Sequence, residues 1–249
     1  MDSGEVAAVA GALGAAFILL GRGRVLLLSG LALLAVAELG LVHDLSGNRV
    51  SPKLAALGVL GLVPMAIGAW IFVRWPVLVT PLVALAAPFR PPLSFGSEHR
   101  YFVGVASSGQ LGRLLPLYGV LGATALALGW HAFRGRVNRP APFIVSIPAA
   151  VFIAVAGLSV LWTEDLVSGE NVLAYFLLPF AVLVVVVAHA PFPPWLPRAL
   201  AVIAIGLATL FAVVGIIQAA THKLWFFSPA VEVGNAYSSF FRVTSLFRD

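Results

Sequence analysis

Arginines are the residues of this sequence best suited to chemistry, because a guanidinium binds phosphate bidentately and stays charged at any accessible pH. Arg242, Ser245 and Arg248 stand close together in Ser238-Ser239-Phe240-Phe241-Arg242-Val243-Thr244-Ser245-Leu246-Phe247-Arg248-Asp249. As a helix, this stretch puts Arg242 and Ser245 on one face and turns Arg248 away; as a loop, all three can converge. Arg90, Arg100, Arg113 and Lys223 join them on one side of a membrane when the chain is threaded as described below. A set of cations at a membrane rim suits a lipid-linked phosphate or pyrophosphate. The plainer alternative for each is interfacial anchoring, beside an aromatic belt of Trp225, Phe226 and Phe227.

Other polar candidates are few. Glu38 is the one ionisable residue well inside an apolar run, where a charge is costly; it either serves function or bonds a neighbouring helix. His43 and His189 fall at the ends of apolar runs, and His222 reads as an interfacial residue. Glu164-Asp165 could ligate a cation but fits an acidic loop better. No paired carboxylate or histidine cluster has metal-ligand spacing, and no Gly-Lys-Ser/Thr loop or dinucleotide fingerprint occurs, so neither metal nor nucleotide cofactor is expected. Cysteine is absent, which excludes disulfides and thiolate sites.

The elements that must position these residues are membrane helices. Hydrophobic residues make up 61% of the chain and charged residues 10%, against about a quarter charged in soluble domains. The net charge of +5 is spread singly through loops, which is no footprint for nucleic acid. The start, Met1-Asp2-Ser3-Gly4-Glu5, lacks the basic region of a signal peptide, so the first apolar run counts as a mature helix. Crossing a bilayer takes roughly 20 apolar residues. Eight runs qualify, at 5–20, 25–42, 54–73, 76–89, 114–133, 143–162, 171–190 and 199–219, with seven spans the alternative: the first and fourth are short, the fourth is bracketed by Pro76, Pro88, Pro91 and Pro92, and either could be tilted, re-entrant or extended into the interface. The expected fold is an all-α polytopic bundle over 1–219, followed by an aromatic and arginine-rich segment over 220–249. Gly11, Gly14, Gly58, Gly61, Gly119 and Gly122 are expected to let helix backbones approach.

Arg134-Gly135-Arg136-Val137-Asn138-Arg139 is the strongest cytoplasmic marker, and the turn from Thr163-Glu164-Asp165 to Glu170 is acidic and expected to face out. Counting from these puts Arg22, Arg24, Arg74 and 191–198 inside. The N-terminus, 90–113 and 220–249 then lie outside.

The Arg-Val-Thr-Ser-Leu-Phe-Arg-Asp stretch at 242–249 resembles the O-antigen ligase and O-antigen polymerase superfamily of bacterial membrane glycosyltransferases. Ala87-Pro88-Phe89-Arg90-Pro91-Pro92 followed by Leu114-Leu115-Pro116-Leu117-Tyr118 is a second point of similarity, carried by hydrophobic spacing more than by a motif. The resemblance implies the first part of a GT-C-type fold in the bacterial cytoplasmic membrane. It further implies metal-independent transfer of a glycan from undecaprenyl pyrophosphate to the hydroxyl of a glycan or glycolipid acceptor at the outer face. Arg242 matches a pyrophosphate-binding arginine, with Arg90 the weaker match. The family's further spans and its histidine-bearing outer loop follow this point, so the chain is expected to be an N-terminal part, inactive alone. Two readings from other classes stand beside it: a transporter or flippase, for which Glu38 would argue, and a non-catalytic membrane subunit.

Overall fold

A computed structural model describes residues 3–45, 52–88, 115–136 and 141–222. Within them every regular element is helical: α1 Ser3–Leu20, α2 Arg24–Leu45, α3 Pro52–Arg74, α4 Val79–Ala86, α5 Leu115–Phe133, α6 Phe143–Leu158, α7 Leu166–Val172, α8 Leu178–His189 and α9 Leu196–Thr221. Short 3-10 turns at Pro76–Leu78 and Ser159–Trp162 precede α4 and extend α6, and a π turn at Leu173–Leu177 joins α7 to α8. These helices are apolar nearly all round, as lipid requires, because a helix satisfies its own backbone where no water can. Pro64 and Pro148 sit inside α3 and α6, which membrane helices tolerate.

Among the described residues four helices are long and apolar enough to cross a membrane: Arg24–Leu41, Phe143–Trp162, Leu166–His189 and Leu196–Thr221. A fifth is reached if Leu60–Arg74 and Pro76–Ala86 together make one span, and α1 is a shorter apolar helix. This falls short of the eight runs read from the sequence. The 76–89 run is the clearest difference. Over 76–86 it folds as a 3-10 turn and an eight-residue helix bent by 113° from α3, the geometry of a broken span or a re-entrant loop. Trp75 supplies the break. It stands before a proline, with φ −131° and ψ 72° outside the helical region, and Pro76 has no N–H to continue the α3 ladder.

α1 and α2 form the centre of the bundle and meet backbone to backbone. A methyl group added at Gly30 would lie 2.9 Å from the Gly14 carbonyl oxygen, and one at Gly14 would lie 3.0 Å from the Gly30 oxygen. Gly11 packs on Leu178, and Gly122 on Met65 of α3. Gly61 and Gly119, expected to serve the same purpose, face open space. Gly58 is in α3, where the structure does not describe its surroundings. Buried Ala8, Ala15, Ile18, Leu34, Ala37, Ile153, Leu173 and Leu178 fill the seam between α1, α2, α6 and α8. α9 packs chiefly on α4 and leaves most of its surface, including Val202, Ile205 and Ile216, exposed to the surrounding medium.

The ends of two helices gather arginines. α5 closes on Gly135 at φ +67°, with Gly135 N–H donating to Ala132 and Arg136 N–H to His131, a paired closure that uses two of the last free carbonyls. The Arg24 guanidinium lies 3.8 Å from where a Gly135 side chain would start, and Arg22 stacks on the Phe143 ring at 3.6 Å. The turns at 21–24 and 134–136 therefore share one end of the bundle.

Candidate functional site

Arg90, Arg113, Arg242, Ser245 and Arg248 lie outside the described residues, as do Arg100, Lys223 and the whole 242–249 stretch. His222 is described: it ends α9 in the left-handed conformation, φ 52°, and is exposed. Glu164 is exposed too, and Asp165 caps α7. Asp165 Oδ1 accepts from the Ser168 N–H at 3.0 Å and Oδ2 from the Ser168 hydroxyl at 2.6 Å. The Ser168 hydroxyl and then its amide hold the Asp165 carboxyl below its ordinary range. That is helix capping, and it uses the carboxylate the sequence offered as a cation ligand.

Glu170 departs from its reading as part of an outward acidic loop. It stands on α7 and is buried, 1% exposed, because α7 folds back onto α1 and α2.

A polar cluster forms where α2, α5 and the π turn meet, and its geometry begins with a proline. In an α-helix the carbonyl of Tyr175 would receive the N–H of residue 179, but residue 179 is proline. The backbone widens into the π turn, where Leu178 N–H reaches back to Leu173 O. The Tyr175 carbonyl is then satisfied from another helix: the Tyr118 hydroxyl of α5 donates to it across 2.6 Å. Tyr175 itself is 9% exposed, and its hydroxyl has no hydrogen-bond partner among the described residues. Glu38 is half-buried on α2, the helix that packs against α5 and the π turn. Its carboxyl makes no hydrogen bond or ion pair with a described residue. π turns recur at functional sites, and carboxyls at membrane depth seldom persist without a use.

A second polar feature lies near the α3–α4 bend. A cavity of about 50 Å³ is bounded by Phe72, Pro76, Thr124, His131 and His189 among others. His189 Nδ1 pairs with the Val185 carbonyl at 2.8 Å, while His131 Nε2 is buried without a partner among the described residues. The space suits one or a few waters. Among the described residues no group of three potential ligands could hold a metal ion.

Of the residues singled out from sequence, Glu38 stands on a helix packed against the first cluster and His189 lines the cavity. Tyr118 and Tyr175 were missed as site residues. A signal for Tyr175 was present: a proline four residues after it in an apolar run announces an open carbonyl. No protein-family model, curated protein or solved structure matches the chain.

Proposed function

We propose that this chain is the N-terminal part of a membrane glycosyltransferase similar to O-antigen ligases. On this reading it transfers a glycan from undecaprenyl pyrophosphate to an acceptor hydroxyl at the outer face of the bacterial cytoplasmic membrane. The observation that carries the reading is the Arg-Val-Thr-Ser-Leu-Phe-Arg-Asp stretch at 242–249, which follows the longest apolar helix, α9, after a short polar and aromatic segment. On this reading the helical bundle is the first part of a GT-C-type scaffold. The shared end of the arginine turns 21–24 and 134–136 supports a single cytoplasmic face, which leaves 220–249 on the outer side.

The chemistry assigned to Arg242 is electrostatic. The acceptor oxygen forms a bond to the anomeric carbon, the bond from that carbon to the pyrophosphate oxygen breaks, and the acceptor proton leaves. The pyrophosphate departs with the added negative charge. A guanidinium paired bidentately with that group stabilises the charge as it develops. Arg90, Arg113, Arg248 and Ser245 complete the anion-binding set.

Binding of the carrier tests the assignment. In nanodiscs, undecaprenyl pyrophosphate is expected to bind the wild-type chain and to bind Arg242→Ala about tenfold or more weaker, the scale of a charge-assisted hydrogen bond. Equal affinity for both contradicts it. A transport reading is favoured by one observation, the Glu38 carboxyl inside the bundle. The cavity described above is not lined by that residue.

A further inference from the structure

The end of the bundle where the turns at 21–24 and 134–136 meet is strongly cationic. Four exposed arginines stand there, Arg22 and Arg24 where α2 begins and Arg134 and Arg136 where α5 ends. The Arg24 guanidinium lies against Gly135, Arg22 covers the ring of Phe143 at the start of α6, and Arg134 covers the Trp130 ring at 4.7 Å. Three segments of the chain thus bring cations to one place. A guanidinium stacked by its face is held still, yet keeps its in-plane N–H donors free for a phosphate. Among the described residues no carboxylate pairs with any of the four. Glu5 stands at the far end of α1, Glu38 and Asp44 lie well along α2, and Glu164, Asp165 and Glu170 follow the far end of α6. The first turns of α2 and α6 hold no acidic residue, so the positive ends of two helix dipoles add to the charge. The C-terminus of α5 opposes them, but the Gly135 and Arg136 amides already occupy two of its carbonyls. Cations gathered in this way repel one another, and an anion relieves the repulsion. Trp130, Phe133 and Phe143 are exposed around them, which is the dress of a membrane–water interface rather than of a surface in bulk water.

We propose that Arg22, Arg24, Arg134 and Arg136 form a headgroup site for an anionic phospholipid of the surrounding bilayer, with the lipid phosphate held between the two turns and the acyl chains against the exposed aromatics. Phe143 and Trp130 are positioning residues, because each fixes the plane of one guanidinium. The site rests on the membrane placement of the helices alone. It uses none of the arginines assigned to pyrophosphate and stands or falls apart from that assignment.

Native mass spectrometry of the full chain in detergent micelles tests it, with phosphatidylglycerol as the anionic probe, phosphatidylcholine as the neutral one and no carrier lipid added. The wild type is expected to retain phosphatidylglycerol about tenfold or more tightly than phosphatidylcholine, and Arg24→Gln and Arg134→Gln are each expected to lose about fivefold of that affinity, the scale of one cation at an anionic headgroup. Arg198→Gln removes an exposed arginine of α9 outside the cluster and is expected to bind as the wild type does. Arg24→Lys keeps the charge without the fork and is expected to fall between wild type and Arg24→Gln. Each variant is first shown to be monodisperse by size exclusion, and the lysine variant carries the test where a glutamine variant is not. Equal retention of the two lipids by the wild type overturns the proposal. So does a loss in Arg198→Gln equal to that in Arg24→Gln, which would reduce the effect to overall charge. Displacement of the lipid by inorganic phosphate at constant ionic strength also overturns it, since the ligand would then be a free anion.

Discussion

The Tyr118 hydroxyl closes the backbone gap that Pro179 opens, donating across 2.6 Å to the carbonyl of Tyr175, four residues before the proline. A side chain from α5 thus completes the hydrogen bonding of the helix that runs from α7 through the π turn to α8. Removing it leaves a buried carbonyl unpaired in apolar surroundings. Tyr118→Phe is expected to destabilise the bundle by about 1–3 kcal/mol. Pro179→Ala restores a backbone donor, so the same substitution in that background is expected to cost clearly less. Thermal unfolding of the two single variants and the double variant in detergent measures the coupling; full additivity would contradict it.

The crossing of α1 and α2 has no room for a side chain at Gly30. An added methyl would meet Ile18 Cγ2 at 2.7 Å, and the Ile18 nitrogen and Gly14 oxygen at 2.9 Å. Backbone cannot yield as a flexible side chain would, so Gly30→Ala is expected to lower stability by about 1–3 kcal/mol. Gly206, with nothing within 4 Å, is the control. Gly206→Ala is expected to be neutral or to stabilise by up to about 1 kcal/mol, since alanine is the better helix former. Melting temperatures of the two variants decide it, and equal losses would remove the special role of the crossing.

The Asp165 cap gives a pH-dependent helix end. Its carboxyl is held below the ordinary range by Ser168, so the cap's contribution is present above the ordinary carboxylate value and fades as pH falls through the depressed one. Protection of the Ser168 amide against hydrogen exchange, corrected for intrinsic rate, is expected to fall in acid. Asp165→Ala is expected to lower it at neutral pH, and Asp165→Asn, which still caps, less so. Protection that ignores both changes would contradict the cap.

The chain has no cysteine, so single-cysteine variants report sidedness directly. With the proposed orientation, Glu164→Cys is expected to react with an impermeant maleimide on intact cells, and Arg136→Cys only after lysis. Both parent residues are exposed in the structure. The reverse pattern would invert the proposed topology and move 220–249 to the cytoplasmic side.

Much of the helical framework was legible because apolar runs announce membrane helices without need of periodicity. The runs at 25–42 and 199–219 fall within Arg24–Leu45 and Leu196–Thr221, and 143–162 is covered by α6 with its 3-10 extension. The same property hides the packing. Where nearly every face is apolar, sequence does not say which one meets a neighbour. That is why Gly14 and Gly61 looked alike, though one lies at a backbone crossing and the other in open space. The prolines around 76–89 marked that run as short and open to a re-entrant course, while the conformation of Trp75 before Pro76 sets the angle of the bend. Tyr118 was visible only as spacing, since its value depends on a carbonyl contributed 57 residues later. The arginines that carry the functional reading lie outside the described residues, so their convergence rests on the sequence resemblance.

Glycan transfer by the full-length protein is the most direct measure of that reading. Purified protein in proteoliposomes would be given a glycan on undecaprenyl pyrophosphate and a hydroxyl-bearing glycolipid acceptor, and the joined product followed by mass spectrometry. Arg242→Ala is expected to abolish product while the protein remains folded and monodisperse. Arg242→Lys, which keeps the charge but loses the bidentate fork, is expected to leave a small residual rate. Product formed by Arg242→Ala at the wild-type rate would contradict the account.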